Sequence, residues 1–231
     1  MSRQRPLRED ALNSPSPLRA AFRQALSEAW AGGAGVLLPI GFFAGAAMLV
    51  PFTVGSEASQ LSAIGTGILW VALALASLVS MERVFQADLE DGALELWAQE
   101  ETPLFLVAAA KMLAHWIVSG LPLVLLTPPI GVALQVDPGA LIPAMLAYGL
   151  GGLAFFLWGG VAGALAASVA RGGLLISLLA LPLFVPTAIF GALATIEGPG
   201  GPSLLFLAAA TMFALAVAPF AASAALRLAV D

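Results

Sequence analysis

Residues 140–168 read ALIPAMLAYGLGGLAFFLWGGVAGALAAS and contain no charged side chain. The run is longer than the ~20 apolar residues that a helix needs to cross the ~30 Å hydrocarbon core of a bilayer. Backbone groups in lipid must find hydrogen-bond partners within the structure itself, and the run lacks the alternating pattern of a barrel strand. The stretch therefore predicts a membrane-spanning helix.

The rest of the chain repeats this pattern. Of its 231 residues 60% are hydrophobic and only 10% charged, against about 25% charged residues in a soluble domain. Further apolar stretches occupy residues 30–53, 61–81, 104–134, 172–195 and 203–226. We therefore predict an all-α polytopic membrane protein with six spanning helices. Residues 18–231 are expected to form a single six-helix transmembrane domain, preceded by a disordered tail over residues 1–17.

The basic residues indicate how the helices are oriented. Threading the six stretches with a cytoplasmic N-terminus places eight bases on the cytoplasmic face: Arg3, Arg5, Arg8, Arg19, Arg23, Arg83, Arg171 and Arg227. Lys111 lies about two helical turns inside the third stretch and is expected to snorkel to that face. The opposite loops contain Glu57, Asp137 and Glu197 but no base. The positive-inside rule then predicts that both termini are cytoplasmic.

A short amphipathic segment precedes the first spanning stretch, over residues 18–29. Its apolar positions recur at helical spacing, namely Leu18, Ala21, Phe22, Ala25, Leu26 and Ala29. Polar residues, including Arg19, Arg23 and Glu28, occupy the other side. The pattern predicts an interfacial helix with Trp30 at headgroup level, favoured by a glycine-rich bend after it. A plain cytoplasmic extension of the first spanning helix is the alternative.

Glycine and proline mark candidate packing and hinge positions. Gly41 and Gly45 have the spacing that permits close helix packing, and Gly159 and Gly163 belong to a glycine-rich fourth helix that we expect to be internal. Interior prolines remove a backbone hydrogen bond and bend helices. The candidate hinges of this kind are Pro122, Pro182 and Pro186. For the last two, three outcomes stay open: an unwound turn in the fifth helix, its division into a re-entrant pair, and a kink with a purely packing role.

Residues 82–103 form the only long polar segment between crossings. Phe85 and Leu89 share one helical face, and Gly92 predicts a helix stop before a second short amphipathic piece. Asp88, Asp91 and Glu95 fall on a common polar side at spacings of three and four.

Three interpretations of this segment compete. It is a solvated acidic loop, a metal site, or a docking helix for a cytoplasmic partner. The metal site is discounted, because no histidine is nearby and the spacing fits no calcium loop. The aromatic residues Phe85 and Trp97, taken as exposed, favour docking, with apolar anchors entering a groove and acids setting specificity.

Absent motifs exclude several functions. The chain has no cysteine, no GxxxxGK[ST] phosphate loop, no GxSG serine motif and a single histidine, so no HExxH site exists. We therefore expect no catalytic residue, no metal site, no nucleic-acid partner and no enzymatic activity. His115 lies roughly 16 Å along its helix from Leu104, near mid-bilayer. It is interpreted as a neutral histidine bonded to a neighbouring helix, with a haem axial ligand as the alternative.

Several blocks in order resemble one family, the CcmB haem exporter proteins. The blocks are Ile68-Leu69-Trp70-Val71, Ser80 to Phe85, Asp88 to Glu95, Ala110 to Trp116 with Gly120-Leu121-Pro122, Arg171-Gly172-Gly173, Leu181-Pro182 with Pro186, and Pro219 to Arg227. The resemblance covers residues 18–230. The proline-containing N-terminal extension departs from the family pattern and supports no inference.

The resemblance implies an ABC-2-like permease subunit of the bacterial inner membrane, used in cytochrome c maturation. Two copies would pair with two copies of the ATPase CcmA, which binds ATP, and would associate with CcmC, CcmD and, through the complex, the haem chaperone CcmE. Haem would be the transported or handled ligand. The segment contacting the ATPase would comprise Glu82, Arg83, Phe85, Asp88, Leu89, Asp91, Gly92, Glu95 and Trp97.

Two alternatives to haem export stay open. The chain could be a scaffold that transmits ATPase motion to CcmC and moves no substrate. Its almost charge-free helices, which offer no evident site for an anionic substrate, are compatible with that role. The other alternative is a generic export permease for drugs or lipids with the same architecture.

Overall fold

Every regular element in the described part of the computed structural model is helical. The structure describes residues 17–31, 34–55, 57–82, 84–99, 102–167 and 172–230. The helices are α1 (Pro17–Ala31), α2 (Ala34–Val54), α3 (Ala58–Met81), α4 (Gln86–Glu90), α5 (Ala93–Gln99), α6 (Leu104–His115), a π-helical segment (Trp116–Gly120), α7 (Leu121–Ala133), α8 (Pro138–Leu141), α9 (Met145–Ala167), α10 (Gly172–Glu197) and α11 (Pro202–Val230).

Six helical segments are long and apolar enough to cross a membrane, which confirms the predicted all-α, six-span architecture. The third segment runs from Leu104 to Ala133 and joins α6, the π segment and α7. The predicted helix over residues 18–29 corresponds to α1. Several predicted features lie outside the described residues: residues 1–16 of the predicted tail, the bend at residues 32–33, Arg83 and Arg171.

Helix α9 lies at the centre of the bundle and packs against α3, α10 and α11. Of its spanning window 78% is buried inside the protein, compared with 17% for α2. A Cβ added at Gly163 would lie 2.8 Å from the Met81 carbonyl oxygen, and one at Gly159 would lie 3.2 Å from the Met81 side chain. The predicted internal packing of the glycine-rich helix is confirmed, because these glycines let α3 and α9 touch.

Trp70 of α3 packs against two further spanning helices, α9 and α10, near the N-terminal end of α9. Its indole lies where a Cβ at Gly151 of α9 or Gly191 of α10 would clash, 2.3 Å away in both cases. The indole Nε1 donates a 3.1 Å hydrogen bond to Thr195 Oγ1, and the ring stacks on Tyr148 at 4.9 Å. A large side chain in α3 thus fills the space that small residues leave in two partner helices.

Gly41 and Gly45 do not pack within the described chain. Both are exposed on α2, and an added Cβ would meet no atom within 4 Å at either position. No contact in the described part of this chain uses the close approach that their spacing permits, and a helix-packing role for these two glycines stays a prediction. A small-xxx-small spacing specifies a surface that permits close approach, but not which helix approaches it.

Helix α10 continues unbroken through Pro182 and Pro186. The predicted unwound turn or re-entrant pair is therefore wrong. Each proline removes only one backbone donor, and flanking hydrogen bonds hold the helix together. The third spanning segment, by contrast, contains a π-helical turn, which ends at Gly120, two residues before Pro122. Such turns commonly accompany proline and local bending in spanning helices.

Candidate functional site

The polar segment between the second and third spans folds as a helical hairpin. Helix α4 ends at Glu90, and the backbone N–H of the next residue, Asp91, donates to the Ala87 carbonyl at 2.9 Å. Gly92 then adopts a φ of +74°, a left-handed conformation that glycine accepts without a steric penalty. Helix α5 begins at Ala93. The helix stop predicted at Gly92 and the second short helix after it are both confirmed.

The inner face of the hairpin packs against the core of the helical bundle. Phe85 and Leu94 are buried, at 1% and 0% exposure, and Leu89 and Trp97 pack half-buried against the same core. Helix α4 lies against α9, while α5 contacts α6 and α11. The assumption that Phe85 and Trp97 are exposed docking anchors is therefore wrong. Their apolar surface fixes the hairpin to the bundle, because burial inside the protein removes it from water.

Asp88 also points inward and forms an ion pair with Lys111 of α6. The Lys111 Nζ atom lies 2.9 Å from Glu28 Oε2 of α1 and 4.7 Å from the centre of the Trp97 ring. Lys111 thus connects α1, α4, α5 and α6 at one point. We call Glu28, Asp88, Trp97 and Lys111 the lysine junction.

Burial makes the lysine junction sensitive to the loss of any charge. The side chains of Lys111 and Asp88 are 4% and 5% exposed, whereas Glu28 is 41% exposed. Within the described residues, Asp88 Oδ2 has no hydrogen-bond partner. Removing one partner of a buried ion pair leaves an uncompensated charge, which costs about 3–5 kcal/mol. The expectation that Lys111 snorkels to the surface is wrong, because carboxylates reach it inside the protein.

The outer face of the hairpin is acidic. Asp91 and Glu95 are exposed, as is Glu82 at the end of α3, and Leu96 is 65% exposed beside them. The three acids predicted to share a polar side therefore divide, with Asp88 inside and the other two outside. Arg83 lies outside the described residues. No three His, Asp or Glu side chains come together as a metal-binding group in the described parts of the chain.

His115 follows Lys111 by one helical turn and is the last residue of α6. It is half-buried, directly before the π segment. Among the described residues, no hydrogen bond joins His115 to a neighbouring helix, and its neutral state stays a prediction. A role as a haem ligand stays a prediction.

Sequence patterns alone missed the lysine junction. Its members come from positions far apart in the chain, and the sequence pattern showed Glu28 only as one of several polar residues on an amphipathic helix. One signal was present: Lys111 is the only lysine, and it interrupts an alanine-rich apolar helix. A charge at such a position needs a partner, and the preceding polar segment, residues 82–103, holds one of the two carboxylates that supply it.

Comparison with known proteins agrees with this architecture. The family described as "CcmB protein" matches residues 18–229. "Heme exporter protein B" of Paracoccus denitrificans strain Pd 1222 is 46% identical over 216 residues, covering 91% of this chain and 99% of that protein. The protein of the same name from Escherichia coli strain K12 is 37% identical over 214 residues, covering 91% and 97%.

The similarity extends over nearly the whole chain, including α1, the hairpin and every spanning segment. Its extent is too great to reflect shared hydrophobicity alone, because a single family accounts for both the order and the lengths of the elements. The chain belongs to the CcmB protein family.

Proposed function

We propose that this multi-pass membrane protein is the permease subunit of the CcmABCD haem export system of cytochrome c maturation. The names of its relatives and the family match support this function. One structural observation supports a motor-coupled role: the hairpin has an acidic outer face, while its inner face is fixed to the bundle through Lys111. ATP would be bound and hydrolysed by a separate CcmA-like subunit, and this chain would have no enzymatic activity.

The lysine junction suggests how motion would enter the membrane region. A push on the outer face of the hairpin would reach α6 through the Asp88–Lys111 pair and α1 through Glu28. It would also reach α9 and α11 through the contacts of α4 and α5. Packed helices respond to such a load by small rigid-body shifts rather than by bending continuously. The third spanning segment would bend at the π segment, directly after His115.

The finer assignments belong to the same proposal. The chain would lie in the bacterial inner membrane with both termini cytoplasmic, as the distribution of its basic residues favours. It would act as a homodimer with two CcmA-like ATPases, CcmC-like and CcmD-like membrane subunits, and a CcmE-like chaperone reached through the complex. Haem would be the ligand that the complex handles.

A non-transporting scaffold is the second candidate, and the core packing favours it. The central helix α9 carries no charged residue, and Phe155, Phe156 and Leu157 on it are fully buried. A haem propionate crossing this region would need positive or hydrogen-bonding partners. Reconstituting the complete complex in vesicles and following haem across the bilayer distinguishes the two. ATP-dependent accumulation requires a permease, whereas chaperone release without haem transfer across the bilayer indicates a scaffold.

The docking surface is tested by changing only exposed residues. We expect the triple variant Asp91→Ala, Glu95→Ala and Leu96→Ala to insert normally but lose most of the co-purifying ATPase, because it removes the charge and apolar contact of the outer face. Asp88 is left intact, since its loss would perturb the fold. The control variant, Glu57→Ala with Asp137→Ala, removes exposed acids from the opposite loops. Equal ATPase recovery with both variants would rule out this surface.

A further inference from the structure

A groove of about 540 Å³ lies between α1 and α6. Its walls are almost wholly apolar. On α6 they include Leu106, Ala109 and Leu113, which share one helical face, and on α1 they include Phe22. The volume lies within the ~300–1,000 Å³ typical of small-molecule sites.

Two arginines border this apolar groove. Arg19 and Arg23 lie one turn apart on α1, line the groove and are exposed. Neither forms an ion pair with a carboxylate in the described part of the chain, where both ion pairs involve Lys111. The groove therefore combines a long apolar wall with two adjacent cations that no carboxylate neutralises within residues 17–230 as far as the structure describes them.

We propose that this groove binds one anionic phospholipid of the surrounding membrane. The lipid phosphate pairs with Arg19 and Arg23, and an acyl chain lies along Leu106, Ala109 and Leu113. Basic pockets beside spanning helices recognise anionic headgroups in this way, and guanidinium groups suit phosphate oxygens. A zwitterionic headgroup fits less well, because its ammonium group would lie near the same two cations.

The groove shares both of its helices with the lysine junction. Ala109 and Ala110, which line the groove, directly precede Lys111, and Glu28 lies on the same helix as Arg19 and Arg23. A lipid wedged between α1 and α6 would hold the two helices at the spacing that the 2.9 Å Lys111–Glu28 contact requires. A lipid from the membrane would thus help to hold α1 in position against α6.

Lipid retention tests the proposal on the full chain. The protein is placed in phosphatidylcholine nanodiscs containing a minor fraction of phosphatidylglycerol, extracted in mild detergent and analysed by native mass spectrometry. We expect retained phosphatidylglycerol to fall about fivefold for Arg19→Gln and about 30-fold for Arg19→Gln with Arg23→Gln. The matched control Arg227→Gln removes an exposed arginine at the end of α11, outside the groove, and should leave retention unchanged.

A second variant tests the groove itself. Ala109→Phe fills the apolar wall without altering charge and should also abolish retention. Equal retention in all variants would overturn the site, and loss with Arg227→Gln as well would show only general attraction of anionic lipid. Retention in Ala109→Phe would overturn the acyl-chain position. A photoreactive residue at position 113 that crosslinks a partner helix in the complex, rather than lipid, would also overturn the proposal. The assay needs no ATPase, so its outcome is independent of the docking proposal.

Discussion

Lys111 has a charged side chain of which only 4% is exposed, in a helix that is apolar except for Lys111 and the terminal His115. The cost of burying it is offset by two carboxylates and by the face of Trp97. A buried ion pair adds little net stability over a well-packed apolar pair, but losing one member is expensive. The value of the junction is therefore geometric, because it makes the positions of α1, α4 and α6 depend on one another.

The variant Lys111→Met should destabilise the protein by about 3–5 kcal/mol, because Asp88 would stay buried without a partner. Adding Asp88→Asn should recover most of that loss, since both groups are then neutral. The half-exposed partner matters less, so Glu28→Gln should cost under about 1 kcal/mol. Equilibrium unfolding in mild detergent, followed by tryptophan fluorescence, measures all three. A double variant as unstable as Lys111→Met alone would contradict the pairing.

Gly163 of α9 lies against the backbone at the end of α3. A Cβ there would lie 2.8 Å from the Met81 carbonyl oxygen, which is a backbone atom and cannot rotate away. We expect Gly163→Ala to destabilise the protein by about 1–3 kcal/mol through overpacking. Gly149→Ala is the control on the same helix, because an added Cβ at Gly149 meets no atom within 4 Å. Equal unfolding midpoints for the two variants would show that α3 can move aside.

At the scale of elements, the α4–α5 hairpin depends on the left-handed conformation of Gly92. An alanine there is strained by about 1–2 kcal/mol even though the space around it is open. The exposed Gly67 in α3 is the matched case, because its surroundings are also open but its conformation is helical. Gly67→Ala should stabilise by about 0.5–1 kcal/mol. Unfolding midpoints that shift in the same direction for both would contradict this account of the turn.

Hydropathy was sufficient to predict the spanning elements. The expected stretches over residues 61–81 and 104–134 differ by only a few residues from α3 and from the segment Leu104–Ala133. Lipid imposes this regularity, since any spanning backbone must satisfy its own hydrogen bonds. The turn at Gly92 was predictable for a similar reason, because few residues other than glycine adopt its conformation.

The direction of individual side chains could not be predicted in the same way. Asp88 lies on α4 and Asp91 directly follows that helix, yet Asp88 is buried and Asp91 is exposed. The difference depends on Lys111, which the fold brings to Asp88 from another spanning segment. Local rules also overstated the effect of Pro182 and Pro186, because the surrounding helix tolerates each missing donor.

For the whole molecule, the decisive question is which end of the bundle faces the cytoplasm. The hairpin lies in the loop between the second and third spans, whereas Asp137 lies in the loop between the third and fourth. Helices that cross the membrane in succession put these two loops on opposite sides. The distribution of basic residues predicts that the hairpin side faces the cytoplasm, where a nucleotide-driven subunit would have access to ATP.

The absence of cysteine makes this orientation directly measurable. Single variants Glu95→Cys and Asp137→Cys each place one thiol at an exposed position. A membrane-impermeant maleimide added outside intact spheroplasts should label residue 137 at once and residue 95 only after permeabilisation, because the intervening helices separate the two loops. The permeabilised sample confirms that both thiols react. Labelling of residue 95 in intact spheroplasts would place the hairpin outside, beyond the reach of any ATPase, and the docking surface and its coupling route would both be wrong.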